Sequence, residues 1–217
     1  MVLNGGLCGA FGPSLEPFAR QTGASLGVLG GSVMQNRISK LVGTVVWGWF
    51  ANRLQQAPES MPVKAHTLIS AALLAFAACC AVFGYTRSSG VLQLMMNISG
   101  FMYGISDSAA NLLITWVWHH DARKQRINVA ILNSMFTVGA FVTPIIIAAS
   151  MHHLRGAIWP AYYCLAVGAI LEALLLPNLP APPAPRALAT PSKPGVVVPA
   201  DGKRARAARS DAGSLPR

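Results

Sequence analysis

The sequence predicts an all-α integral membrane protein: a six-helix bundle followed by a disordered C-terminal tail. Three observations predict it. Of 217 residues, 53% are hydrophobic and only 11% are charged, where a soluble domain carries roughly 25% charged residues. The charges are segregated, with long stretches holding none and short ones crowded with Arg and Lys. The apolar runs are also long enough to cross a hydrocarbon layer, which takes about 20 residues.

Six spans can be drawn, at residues 2–19, 26–50, 67–85, 91–118, 127–150 and 158–176. The first is the weak one. It holds Gly5, Gly6, Gly9, Gly12, Pro13 and Pro17 and has no flanking charge; the helix is broken by design, or the chain begins partway into it. "NRLQQAPESMPVK" separates spans 2 and 3, and "HHDARKQR" separates spans 4 and 5. "TRSSG" and "MHHLRG" are short turns on the opposite side. After Pro177, "PNLPAPPAPRALATPSKPG" cannot continue a helix, and the polar stretch beyond it has no apolar period. The chain therefore divides into a six-helix domain, 1–177, and a Pro/Ala-rich basic tail, 178–217, expected to be disordered.

The formal net charge of +10 would raise nucleic acid as a partner for a soluble protein. Here seven of the seventeen basic residues lie in the tail, so the anionic lipid surface is the expected partner and nucleic acid is not. The side bearing the 2–3 loop, the 4–5 loop and the tail holds twelve Lys/Arg against five opposite, which places the tail in the cytoplasm. Cys8, Cys79, Cys80 and Cys164 all fall in apolar segments and read as small buried hydrophobes. His119, His120 and Asp121 read as a solvated anchor. Trp47, Trp49, Trp116, Trp118 and Trp159 lie near span ends, as an aromatic belt requires. "NIS" at 97–99 matches a glycosylation sequon but lies inside span 4. No metal set, cofactor motif, Ser–His–Asp arrangement or phosphate loop is present, so no enzyme and no cofactor is expected.

Two polar anomalies point to function. Asp107 lies only about 4 Å along the helix from the midpoint of span 4. A carboxylate facing lipid there would cost at least about 2.5–3.5 kcal/mol, so the helix turns it inward. Gly100, Gly104, Asp107 and Asn111 recur at i, i+4, i+7 and i+11, one helical stripe. An intramembrane acid with an amide one turn away marks a proton, ion or substrate path, or else an interhelical hydrogen-bond pair. In span 2, Arg37 stands eleven residues after Leu26, about 16 Å along the helix. It faces a wet cavity or snorkels to the surface.

Four segments resemble one family, the major facilitator superfamily, and within it the branch of fucose–proton symporters and sodium-dependent glucose transporters. "KLVGTVVWGWFANRL" is similar to the family's second helix and cytoplasmic 2–3 loop signature, with Gly48 and Arg53 matching its Gly and first Arg. Asn52 stands where the family has Asp, and "LQQAPES" lacks the later Gly and basic pair. "GISDSAANLLITWVW" resembles the acidic-x-Ala-Ala-Asn pattern of the fourth helix, matched by Asp107 and Asn111, with Leu112 in place of a Pro. "LNSMFTVGAFVTPII" is similar to the fifth helix and "CGAFGPSLEPFARQTGAS" to the first. The resemblance covers residues 1–177. It implies ion-coupled alternating-access transport of a small polar solute such as a sugar, driven by H+ or Na+. Asp107, Asn111, Gly104 and Arg37 would contact solute or ion, and Gly48, Asn52 and Arg53 would form the gating loop. Full members have two six-helix halves with the cavity between them. A lone half leaves a polar groove facing lipid, which is costly. The chain is therefore expected to pair with a second copy or a separate second half, or else to be a non-transporting truncated or interaction protein.

Overall fold

The structure, a computed structural model, describes residues 1–55, 61–154 and 156–179, with the backbone alone at 54–55 and 61–64. The expected tail, most of the 2–3 loop and Arg155 lie outside those residues. Among them the fold is all-helical: α1 Val2–Thr22, α2 Leu26–Gln55, α3 Met61–Phe83, α4 Ser89–Val117, α5 Ala122–His153 and α6 Trp159–Leu175, followed by one 3-10 turn, Leu176–Asn178. Each lies on one of the six expected spans.

The first helix is continuous through Pro13 and Pro17, so it is not broken. Its glycines have another purpose. A methyl group at Gly5 or Gly9 would strike the backbone of α5 at Phe136 and Ala140, and one at Gly139 would strike Val2. Bare backbone on both helices lets α1 and α5 pack closely, the small-residue contact by which helices associate without a hydrophobic driving force between them. The α1 helix ends at Gly23, whose φ of 70° is the left-handed conformation that closes many helices.

The remaining close pairs are α2 with α4, α3 with α6 and α3 with α4. An aromatic cluster ties α1, α3 and α6: the Tyr162 ring lies 5.6 Å from Phe18 and 5.3 Å from Phe83. Rings in such tilted arrangements add about 0.5–1.5 kcal/mol each beyond their buried area. At one end of the bundle the Gln21 amide donates to the Gly84 carbonyl at 3.2 Å, bringing the α1–α2 and α3–α4 turns together. The opposite end gathers the α4–α5 turn and the end of α6.

By length and apolar composition, the segments Ala65–Phe83, Ala122–His153 and Trp159–Asn178 are each sufficient to cross a membrane. Helices α1, α2 and α4 fall short because they carry the glycines, amides and charges. Two features differ from expectation. Trp47 and Trp116 are buried in the core rather than placed in an interfacial belt, while Trp49 and Trp159 are exposed. Cys79 and Cys80 are buried as expected, but Cys164 is exposed and Cys8 half-buried.

Candidate functional site

The α2–α4 contact is built from glycine and amide. A methyl group at Gly100 would meet Asn36, one at Gly104 would meet the backbone of Lys40 and Thr44, and one at Gly43 would meet Phe101. Fully buried Asn36 donates its amide to the Met96 carbonyl at 2.6 Å and to Ser99 Oγ at 3.3 Å. Ser39 Oγ lies 3.2 Å from Asn97 Oδ1, and Gln93 donates to Gln35 at 2.5 Å. The glycine stripe thus brings a helix close, and Gly104 is covered by α2. The Asn97 of the sequon is packed against α2 in the same way.

That close approach positions the charges. Lys40 Nζ lies 3.0 Å from Asp107 Oδ2, joining α2 to α4. The same ammonium sits 3.9 Å over the ring of Tyr103, one turn before Asp107, a cation–π contact. Tyr103 in turn stacks on Phe136 of α5 at 6.4 Å. The pair is neither sealed nor free: the side chains of Lys40 and Asp107 are 26% and 28% exposed. At about 1.5 Å per residue, Lys40 falls at the middle of α2, Arg37 about 5 Å from it, and Asp107 about 6 Å from the middle of α4. All three thus lie in the middle third of their helices.

Asp107 therefore pairs with Lys40. Arg37 is exposed, and its guanidinium Nη1 lies 2.9 Å from Cys8 Sγ of α1. Asn111, half-buried, donates to the backbone carbonyl of Asp107 at 2.9 Å, so its amide bonds within its own helix. Gly48 has open space around it, and Asn52 and Arg53 are exposed near the end of α2, with the Arg53 guanidinium 5.1 Å from the Trp49 ring. The rest of the expected gating loop lies outside the described residues. Sequence reasoning did not assign Lys40, Tyr103 or Cys8 to the site. Lys40 carried a usable signal: it follows Arg37 by three residues, so the two cations in the apolar span share one face.

These contacts draw on four helices, with Cys8 from α1, Arg37 and Lys40 from α2, Tyr103 and Asp107 from α4, and Phe136 from α5. A model of the Major Facilitator Superfamily matches residues 1–212. The chain belongs to that family. No curated relative and no solved structure matched it. Members of the superfamily are membrane transporters rather than enzymes, so the chain is an integral membrane protein of the solute-transport class.

Proposed function

We propose that residues 1–177 form one half of an ion-coupled, alternating-access transporter for a small polar solute such as a sugar, with Asp107 as the coupling acid. The observation that carries this is the partly exposed Lys40–Asp107 pair in the middle of α2 and α4. A carboxylate that binds a proton or Na+ gives up its ammonium partner, and the face of Tyr103 is placed to hold that ammonium when it does. Ion binding then changes the helix-to-helix contact as well as the charge of the groove, which is what coupling requires. The site is completed by a second copy of the chain or a separate second half. The exposed apolar faces of α2 and α5, including Leu41, Val45, Phe141 and Ile145, support such a partner. Gly104 serves by admitting α2, and Asn111 by steadying the turn that carries Asp107. Gly48, Asn52 and Arg53 would gate the cytoplasmic end, with the basic tail on the same side.

A second reading draws on the same ion pair: Asp107 is already satisfied by Lys40, so the two could simply cement α2 to α4 in a protein that does not transport. Asp107→Asn separates the readings. It keeps shape and hydrogen bonding and removes the charge. In liposomes holding the purified chain in its native assembly, the variant should fold and exchange solute but lose accumulation driven by a proton or sodium gradient. Unchanged gradient-driven accumulation would refute the coupling role. Absence of uptake by the parent chain under every gradient would favour the cementing role.

A further inference from the structure

Two helix pairs, α1–α5 and α2–α4, are locked by glycine, and interior prolines occur in only one of them. Among the described helices, α1 carries Pro13 and Pro17 and α5 carries Pro144, whereas α2 and α4 have none. Pro62 of α3 and Pro160 of α6 stand at the second position of their helices, where no helical bond is lost. An interior proline removes the bond to the carbonyl four residues earlier. That frees the Gly9 carbonyl in α1 and the Ala140 carbonyl in α5. The two residues face each other, since the Ala140 carbonyl is what a methyl group on Gly9 would strike. Continuing that register places Pro13 and Pro144 within one turn of each other along the pair. Each helix is thus weakened where the other is.

The limbs on either side of that level are held differently. On the outer side, Phe18 and Ile147 are fully buried. Phe18 packs on Phe83 at 6.2 Å and on Tyr162 at 5.6 Å, and Gln21 bonds the α3–α4 turn. On the inner side, no residue of α5 from 122 to 138 is buried. The inner limb of α1 is buried at Leu7, but side chains make its contacts with α6, with Leu3 against Gly168 and Leu165 against Gly6. Side chains likewise join the inner limbs to α2 and α4, through Cys8 on Arg37 and Phe136 on Tyr103. Such contacts can repack as helices slide. We propose that Pro13 and Pro144 act as one hinge, on which the inner limbs of α1 and α5, residues 2–12 and 122–143, move as a unit against α2 and α4. The glycine contact keeps the limbs together, and the contacts that change are Cys8–Arg37 and Phe136–Tyr103. Tyr103 also carries the Lys40 ammonium at 3.9 Å, so a change at the Lys40–Asp107 pair reaches α5 through one ring. That trigger rests on the coupling reading given above, whereas the prolines and glycines of the hinge all lie within this chain.

The test is distance measurement by pulsed electron paramagnetic resonance on the full chain in lipid nanodiscs, with spin-labelled non-natural residues and dilution by unlabelled chain. Labels at exposed Ile127 and Trp49 span the two pairs, Val2 and Ile127 report within the unit, and Leu26 and Leu154 report the outer ends. Ile127 lies about 26 Å along α5 from Pro144, so a change of about 10° at the hinge moves it by about 4–5 Å. The Ile127–Trp49 distance should show two populations separated by that amount and redistributed in Asp107→Asn, while the other two pairs each keep one distance. Pro13→Ala combined with Pro144→Ala should merge the two populations. Pro144→Ala alone should narrow their separation, which keeps the test open should the double variant fail to fold. Pro17→Ala, a proline without a counterpart in α5, should leave them unchanged. A single Ile127–Trp49 distance in the parent would overturn the proposal. So would populations unmoved by Asp107→Asn, retained at full separation in the proline variants or merged equally by Pro17→Ala, or a Val2–Ile127 distance that changes with them. Liposome uptake separates this failure from that of the coupling reading. Gradient-driven uptake with one fixed Ile127–Trp49 distance removes the hinge and leaves transport standing. Two proline-dependent populations without uptake do the reverse.

Discussion

Helices α3 and α6 meet through methyl groups and rings, whereas α2 and α4 meet through bare backbone and amides. In the first pair the buried residues include Ala65, Ala72, Ala77, Phe83, Ala169 and Ala173, with the polar His66 and Ser70 beside them. In the second they include Asn36, Ser99, Gly100 and Gly104, beside Leu92, Met96 and Tyr103. The difference follows from what each pair must carry. The α3 and α6 segments are apolar enough to enter a membrane by composition and need only fill space. Helices α2 and α4 bring a lysine and an aspartate to within 3.0 Å of each other, across a contact where a methyl group at Gly43 or Gly104 would strike the facing backbone.

The reciprocal exchange is the strongest way to break this contrast. Gly104→Ala drives a methyl group into the backbone of Lys40 and Thr44, and overpacking of that kind costs about 1–3 kcal/mol. Gly30→Ala, on α2 with open space around it, should instead be neutral or stabilising by up to about 1 kcal/mol. Ala169→Gly should cost about 1–2 kcal/mol, through lost helix propensity and a lost methyl contact. Thermal unfolding in detergent reads all three. If Gly104→Ala proves as mild as Gly30→Ala, the close α2–α4 approach is not what holds the site.

A smaller effect is expected from the amide that spans the same interface. Asn36→Leu keeps the branched outline, with bulkier terminal groups, but removes the hydrogen bonds to Met96 and Ser99. Interhelical hydrogen bonds in membranes average about 0.6 kcal/mol and reach about 1.7, so the loss should be about 1 kcal/mol. The sharper readout is reach across the groove: Lys40→Cys paired with Asp107→Cys should crosslink less readily in the Asn36→Leu background. Equal crosslinking would assign the approach to the glycines alone.

The same contrast explains what the sequence disclosed. The six helices were legible because apolar runs, turns and charge clusters mark them directly. Asp107 was legible as an inward-facing acid because its depth makes lipid exposure costly. Its partner was not. Arg37 and Lys40 share a face of α2, and choosing between them depends on how α2 rotates against α4. That rotation is set by Gly43, Gly100 and Gly104; the stripe on α4 was readable, but not which residues of α2 it would receive. Asn111 shows the same limit: its position on the stripe was readable, but its bond to the Asp107 carbonyl depends on a rotamer. The burial of Trp47 and Trp116 likewise depends on which helix covers them, since position along a span says nothing about the face.

The smallest prediction serves as a control, because it concerns a carboxylate in water rather than in the bundle. Asp121 caps α5, accepting from the backbone N–H groups of Arg123 at 3.1 Å and Lys124 at 3.0 Å. The Lys124 amide, with help from the Lys124 ammonium and the Arg123 amide, holds the Asp121 carboxyl below the usual carboxylate range. A folded-state pKa that is depressed means the charged form favours the folded first turn. That contribution is fully present above the ordinary aspartate value of about 3.9 and is lost as pH falls through the lower folded value. Between pH 5 and 8 the cap should therefore be insensitive to pH, and the first turn of α5 should exchange its amide hydrogens more readily only in strong acid. Asp121→Asn should keep the protection and remove its acid dependence, because an amide oxygen still accepts both bonds. Asp121→Ala should lose protection at every pH. Hydrogen exchange confined to residues 122–125 reads this without disturbing the α2–α4 pair. Should Asp121→Ala also loosen the Lys40–Asp107 contact, the charged site would extend beyond the two helices that carry it, and the division between a space-filling pair and a charge-bearing pair would have to include the turn between α4 and α5.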